Sequence, residues 1–521
     1  MGILSDIHGL IRLAYNLKPF LREPLSVEGA KAYVQERLCN RDALFVKMVE
    51  RAVFANPRSP YLKLFRMAGC GLGDVSTLVK NEGVEGALER LLQAGIYVTF
   101  EEFKGRAAAR RGSQTFEWND ADFDNPAIRT HFNSTSGGTR GTPSRVKINL
   151  EHIAQSAPHW ALWFAAHDRL ASPVIFWTPV YAAVVNRQLM CAKFGRQLVR
   201  WFSSGDGGTR KARVSAACIH GLVRWAAHFP KPEFVPPQQG AKIGAYLVEL
   251  VDQGERPCVV TSPSAAVRIS LVMQQQGVSL RNVMFLLGSE PLTPTRKETI
   301  EACGAKAVPT YGFSEGGSVG SQCPNPAAAD DIHISLDAYA VIPRAQTLTQ
   351  GEPANALLLT ALRPACPKIL LNTEIGDSGT LETRQCGCLF DELGYFRHLH
   401  TIRSHEKLTG EGVTFVGGDL FPLMEEILPK RFGGTLGDYQ LVEEQDAHGL
   451  PRYTLLVSPA VGPLADKLLV STLLEELGKM KGAYRLMAGL WSRADIVLVK
   501  REQPQPTARG KILPFRALGS A

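Results

Sequence analysis

The segment His131-Phe-Asn-Ser-Thr-Ser-Gly-Gly-Thr-Arg-Gly-Thr-Pro-Ser-Arg145 is denser in Ser, Thr and Gly than an element held by its own packing would be. Glycine gives up the most backbone freedom on folding, and small hydroxylated residues bury little apolar surface. Such a loop offers instead a cluster of backbone N–H groups and hydroxyls, a concave donor surface suited to phosphate oxygens. The plainer reading is a surface loop. It is not a Walker loop, because no Gly-Lys-Ser/Thr closes the glycine spacing. Any lysine for the phosphates must come from elsewhere in the chain.

The chain has 521 residues, beyond the size at which single hydrophobic cores stop growing, so two or more domains are expected. A hydrophobic content of 45% and a charged content of 21% are ordinary for a soluble globular protein. The net charge of +8 suits an anionic substrate, although a mildly basic solvated surface explains it as well. No compact basic run interleaved with aromatics argues for nucleic acid. Met1 to Leu21 has apolar residues at helical spacing but is interrupted by Asp6, His8, Arg12 and Lys18. That is too polar to span a bilayer, and it reads as an amphipathic helix docked on its own domain. Ten cysteines scattered without the density of a disulfide scaffold, and no visible signal peptide, lead us to expect a reducing, cytoplasmic compartment.

From Val27 to Arg106 the apolar spacing is helical, with Pro57 to Gly73 separating helices. Val174 to Thr178 reads as a buried strand. From Arg256 onward strands and helices alternate: Cys258 to Thr261, Ala265 to Gln276, Val283 to Leu287, then Pro294 to Cys303. This alternation predicts a parallel sheet covered by helices, with ligands at the carboxyl ends of its strands. Gly288-Ser289-Glu290-Pro291 and Tyr311-Gly312-Phe313-Ser314-Glu315 fall at such ends. After Gly376-Asp377 the chain becomes turn-rich, and from Arg403 it reads as a separate, smaller unit. In that unit Tyr439 to Glu444 and Tyr453 to Val457 flank a hairpin turn, Pro463 to Lys479 is helical, and Asp495 to Lys500 is a final strand.

Gly312-Phe-Ser314-Glu-Gly316 matches the Gly-x-Ser-x-Gly elbow of serine hydrolases, with Ser314 as nucleophile. That elbow needs a helix directly after the serine. The residues that follow, Gly-Gly-Ser-Val-Gly-Ser-Gln-Cys-Pro, are poor helix formers. Glu315 could instead supply carboxylate oxygen to a hard cation that is also held by substrate phosphate. Cys323, His333, Cys386 and Cys388 offer three thiolates and an imidazole, a set able to close a tetrahedral zinc site. From spacing alone, ordinary buried cysteines are the better reading.

The glycine-rich segment resembles the phosphate loop of the adenylate-forming superfamily, which includes acyl-CoA and aryl-CoA ligases. It has one extra residue, and Ser144 or Arg145 where many members carry lysine. Tyr311-Gly-Phe-Ser-Glu315 is similar to the superfamily's Tyr-Gly-x-Thr-Glu motif, and Asn372-Thr-Glu-Ile-Gly-Asp377 to its Thr-Gly-Asp segment. Pro506-Thr-Ala-Arg-Gly-Lys511-Ile512 resembles its C-terminal Gly-Lys-Ile tail. Thr261-Ser-Pro-Ser-Ala265 followed by Gly288-Ser-Glu-Pro291 looks most like the phenylacetate-CoA ligase and acyl-protein synthetase branch.

The resemblance implies an α/β fold, with a large N-terminal adenylation domain over residues 1–402 (1–106 mostly helical) and a small mobile α+β lid over 403–521. It implies ATP and Mg²⁺ as requirements, release of pyrophosphate from an acyl-adenylate, and coenzyme A as the default acceptor, with an amine or a carrier-protein thiol as alternatives. Thr135, Ser136, Gly137, Gly138, Thr139, Gly141, Gly288, Ser289, Glu290, Tyr311, Gly312, Ser314, Asp377 and Arg403 would then face the nucleotide. Glu315 would ligate Mg²⁺, Asp377 would accept the ribose hydroxyls, and Lys511 would bridge the carboxylate and the α-phosphate. Arg403 opens the hinge, where His405 stands in place of the usual Asp or Lys. The branch's Cys-Pro segment, later His and Cys-x-Cys imply a structural Zn²⁺ on Cys323, His333, Cys386 and Cys388. The partner expected is a small carboxylic acid, with no nucleic acid and no membrane span, for a monomer or homodimer.

Overall fold

The computed structural model describes residues 3–135, 145–178, 181–196, 198–205, 210–226, 229–347, 353–404, 407–410, 413–416, 420, 422–435, 437–480, 484–506, 512 and 515–516. Short apolar runs organise it. Every residue of Val174–Trp177, Cys258–Thr261 and Met284–Leu287 is buried, as strands covered on both faces require. Alternate side chains divide between two cores. Val174, Phe176, Val260, Met284 and Leu286 join one, while Ile175, Trp177, Val259, Phe285 and Leu287 join the other, the period of two that a pleated strand imposes.

These strands belong to a sheet of twelve. In spatial order they are Tyr339–Thr347, Pro353–Ala361, Thr373–Thr383, Arg397–Ser404, Ile332–Ile334, Gly317–Ser321, Lys306–Phe313, Met284–Leu287, Cys258–Thr261, Val174–Trp177, Leu198–Ser203 and Pro232–Phe234. From Lys306–Phe313 to Pro232–Phe234 all neighbours are parallel, and from the same strand to Tyr339–Thr347 all are antiparallel. Lys306–Phe313 is therefore the seam between the two halves. Crevices at such topological changes are where open α/β sheets bind ligands.

The N-terminal residues form helices Ile3–Arg22, Val27–Cys39, Arg41–Val49, Pro60–Met67 and Leu72–Gln93. Pro60–Met67 lies inside the segment expected only to separate helices, and Pro60 at its first position has the φ a helix start needs. Arg37 carries this region into the sheet domain. Its guanidinium donates to the carbonyls of Asp337 (2.9 Å) and Leu362 (3.1 Å) and lies 3.4 Å from the Asp337 carboxylate. The Asp337 side chain has 0% exposure, and His159 on helix Leu150–Ala166 contacts it at 2.8 Å. Burial alone would raise the Asp337 carboxyl, but His159, Arg363 and the Tyr395 hydroxyl outweigh it and hold it well below the usual range.

Residues from Leu420 to Phe515 build a core of their own. There Tyr439–Gln445 and Pro451–Val457 pair as the expected hairpin. The strand Val497–Lys500 flanks one side and Phe515–Arg516, not foreseen from sequence, the other. The turn-rich reading after Asp377 is corrected. Gly376 and Asp377 sit inside the long strand Thr373–Thr383, and Arg403 lies in its neighbour, with Cα partners Asp377–Ser404 and Ser378–Arg403.

Two histidines on and just after helix Leu150–Ala166, in the large domain, are held neutral. His152 is pushed down to about 3 by burial and the nearby Arg363, and His167 to about 4, mainly by burial. His167 Nε2 donates to the Gln322 carbonyl at 2.9 Å, while Nδ1 faces Lys306 at 3.4 Å. Between pH 6.5 and 4 the unfolded chain takes up these protons and the folded chain does not. Stability is thus fully present above pH 6.5 and falls by about 1.4 kcal/mol per pH unit per histidine below it. Urea midpoints measured from pH 7 to pH 4.5 should show this slope, and His167→Gln should remove its share, roughly halving it.

Candidate active site

The seam strand ends in a close turn. Between Tyr311 and Gly312 its register with Gly317–Ser321 shifts. A Cβ at Gly312 would lie 2.6 Å from the Gly317 carbonyl oxygen, so the two backbones approach as they do only because residue 312 is glycine. Ser314 is exposed in the hairpin turn that leads to Gly317–Ser321. A second strand follows the serine where a nucleophile elbow requires a helix, so the elbow geometry is missing.

Three of the expected residues converge at the seam. The Tyr311 hydroxyl donates to Asp377 at 2.9 Å, across 66 positions of sequence. Burial and the Asp377 carboxylate push the Tyr311 phenol well above its ordinary value, so it stays a donor. Glu315 is buried, and its carboxylate pairs with Lys104 at 2.5 Å, both side chains below 10% exposure. The Lys104 ammonium also lies 5.1 Å from the Phe103 ring centroid. The short helix Phe100–Phe103, capped by Thr99 and Glu102, delivers this lysine. Phe100 N–H reaches the Glu374 carboxylate at 3.4 Å, and Val98 bridges to Thr373, which ties the helix to the strand carrying Asp377. No motif in the sequence singled out Lys104. A cation facing Glu315 across 211 residues leaves no local pattern to read.

At the neighbouring strand end, Gly288 is buried and Ser289 is held at φ +71°, a conformation costly for a residue with a side chain. Glu290, expected to face nucleotide, points elsewhere. Its side chain is fully buried, accepts from Ser264 Oγ at 2.7 Å and from the Ser264 N–H at 3.2 Å, and pairs with Arg296 at 3.1 Å. The carboxylate thus caps helix Pro263–Gln275. Arg296 goes on to the small unit, donating to the Gly449 carbonyl at 2.6 Å, and Thr299 donates to that of His448 at 3.2 Å. A Cβ at Gly449, whose φ is +80°, would sit 2.5 Å from Arg296 Cγ.

Arg403 is engaged by Asp330 at 3.1 Å, and the same carboxylate accepts from the N–H groups of Thr401 (2.9 Å) and Ile402 (2.8 Å). Of the phosphate-loop residues, Thr135 ends the strand Phe132–Thr135, which pairs antiparallel with Arg145–Ile148 so that Thr135 opposes Arg145. The loop's two ends therefore meet. Ser136, Gly137, Gly138, Thr139, Gly141, His405 and Lys511 lie outside the described residues.

Away from the seam, one ligand atom each from Cys323, His333, Cys386 and Cys388 lies within 4.8 Å of all the others. Cys323 and Cys386 sulfurs are 3.8 Å apart, and His333 Nε2 is 3.4 Å from both Cys386 and Cys388 sulfurs. Tetrahedral ligands at Zn–S distances of about 2.3 Å stand roughly 3.7 Å from one another, so the spacing fits that ion. His333 Nδ1 faces the Tyr395 carbonyl at 2.5 Å, which turns the Nε2 lone pair toward the sulfurs. The Asp391 carboxylate accepts from the Cys386 and Gly387 N–H groups, each at 2.9 Å.

No protein-family model matches this chain, and no curated protein matches it. Solved structures similar to this chain include an amide bond synthetase and acyl-CoA synthetases. An amide bond synthetase from Marinactinospora thermotolerans is 13% identical with a TM-score of 0.44, over 82% of this chain and 76% of that one. The o-succinylbenzoate CoA synthetase of Bacillus subtilis, solved with a product analogue, is 12% identical with a TM-score of 0.41, over 74% and 68%. A Brucella canis acyl-CoA synthetase is 15% identical with a TM-score of 0.32, over 85% and 81%.

The Lys104–Glu315 pair makes a direct prediction. Lys104→Met removes the cation that faces a buried carboxylate and should cost about 3–5 kcal/mol of stability. The double variant Lys104→Met with Glu315→Gln should recover most of that loss in urea unfolding.

Proposed function

We propose that this chain is an ATP-dependent enzyme that activates a carboxylic acid as an acyl-adenylate and then transfers the acyl group, with coenzyme A as the default acceptor and an amine or a carrier-protein thiol as alternatives. The observation that carries the reading is the Tyr311–Asp377 hydrogen bond. It joins the Tyr-Gly-x-Ser-Glu and Gly-Asp motifs at the seam, with buried Glu315 four residues along. Asp377 offers carboxylate oxygen to ribose hydroxyls, and Tyr311 orients that carboxylate. The substrate carboxylate oxygen attacks the α-phosphorus, the bond to the bridging oxygen breaks, and pyrophosphate departs with its electron pair.

A carboxylate is a poor electrophile, and this step needs phosphate donors and positive charge at the transferring group. The Ser136–Gly141 backbone supplies the donors, and Lys511 supplies the charge. Glu315 would hold Mg²⁺, which supplies neutralisation of the phosphate oxygens. The domain boundary in this reading falls at 402/403, beside Arg403 near the end of the strand Arg397–Ser404. Cys323, His333, Cys386 and Cys388 hold a structural Zn²⁺, with all four positions filled by protein so that the ion braces the sheet rather than catalyses.

Incubation with ATP, Mg²⁺ and a panel of carboxylic acids should release pyrophosphate and give an adenylate detectable by mass. An absence of both with every acid would overturn the reading. Lys511→Ala should lower adenylation by about 10²–10³-fold while ATP binding is largely kept. Elemental analysis of the purified chain should find one zinc per chain, and Cys388→Ser should abolish it together with a drop in melting temperature.

A further inference from the structure

Helix Tyr181–Lys193 carries Val184, Leu189 and Cys191 into the core, and Arg187 lies one turn from Val184 and from Cys191. The Arg187 guanidinium is 3.7 Å from where a Cβ on Gly288 would stand, and that same point is 3.3 Å from Thr310 Oγ1. Gly288 ends one parallel strand, and Thr310 precedes Tyr311 on the next, its hydroxyl donating to the Leu287 carbonyl at 3.2 Å. Arg187 therefore stands over the carboxyl ends of two adjacent strands, one residue from the seam tyrosine's own position. Its helix also packs beside Phe132–Thr135, the strand that enters the glycine-rich loop.

This cation differs from the other arginines of the region. Arg169 donates to the Arg256 and Asn282 carbonyls, Arg200 pairs with Glu233, and Arg296 pairs with Glu290. Among the described residues no carboxylate pairs with Arg187. Burial pulls its pKa below the ordinary guanidinium value, opposed only by Cys191. A guanidinium partly withdrawn from water, with no carboxylate partner among the described residues, is costly, and a ligand's charge offsets that cost only if it stays in place.

Two anions of the proposed reaction do not stay. The reacting carboxylate loses its charge on adenylation, and a fixed cation holding it in the ground state would oppose its attack. The β- and γ-phosphates leave as pyrophosphate, and the α-phosphate, which stays, is assigned to Lys511 in the same reading. We infer that Arg187 binds a second anionic group on the substrate acid, so that the enzyme activates a dicarboxylate in preference to an acid with a neutral tail. This inference rests on the adenylation reading above and names its substrate class.

Matched acids test it: phthalate against benzoate, and succinate against butyrate, in ATP–pyrophosphate exchange and in calorimetric titration. The wild-type protein should favour the diacid in each pair that it accepts. Arg187→Met should raise the diacid KM by roughly 30-fold or more, a size typical of removing one partner of a buried charge pair. It should shift the monoacid KM far less, and Arg187→Lys should restore part of the diacid affinity. A wild-type preference for the neutral-tailed acid overturns the inference. Equal losses for monoacid and diacid place the reacting carboxylate on Arg187, and a matching loss of ATP affinity places a nucleotide phosphate there; either result also overturns it. If no acid supports exchange, the adenylation reading falls, and titration of the diacids into wild type and Arg187→Met decides Arg187 separately.

Discussion

A carboxylate with no exposure must be neutralised where it stands, and Asp337 is such a carboxylate. Four regions answer it: Arg37 from the N-terminal helices, His159 from the helix beneath the sheet, Arg363 through its bond to His159 Nδ1 at 3.3 Å, and the Tyr395 hydroxyl. Withdrawing any one leaves charge stranded in a medium of low polarisability, so the regions are held together as a unit. The Tyr339 hydroxyl, two residues from this aspartate, donates to the Gly316 carbonyl in the turn beyond Glu315. The same network that seats the N-terminal helices therefore also fixes the backbone of the seam turn.

Much of this architecture was legible in the chain itself. Cys258–Thr261 and Met284–Leu287 announce doubly covered strands because their apolar character is continuous, and Pro294 marks a helix start by its fixed φ, while helix Pro263–Gln275 begins two residues before the expected Ala265. Gly376-Asp377 misled because Gly-Asp is usually a turn, whereas here a strand of eleven residues runs through it, its pairing set by neighbours distant in sequence. Pairing of that kind is decided by tertiary partners and leaves no local trace. The short strand Phe515–Arg516 escaped for the same reason, since two residues carry no period.

The site divides along the same line. Tyr311 and Asp377 could be named from motifs, because the chemistry they suit recurs with recognisable neighbours, and the fold brings their side chains together. The contacts of Glu290 with Ser264 and Arg296 were not legible, because its position beside Gly288 says nothing about where its carboxylate turns. Lys104 and Arg187 had no motif at all. Each is a single cation whose meaning comes only from the carboxylate or the strand end it faces.

The hairpin turn at Gly449 seated on Arg296 has a mechanical corollary. Any rotation of the C-terminal lobe must break the bonds from Arg296 and Thr299 to the carbonyls of residues 449 and 448. Were the lobe to lift away, Arg296 would still keep Glu290 and the Pro291 carbonyl at 2.8 Å, so its charge would not be left bare. A contact built this way suits a detent rather than a latch: it gives one orientation a definite resting position and would yield without stranding a buried ion.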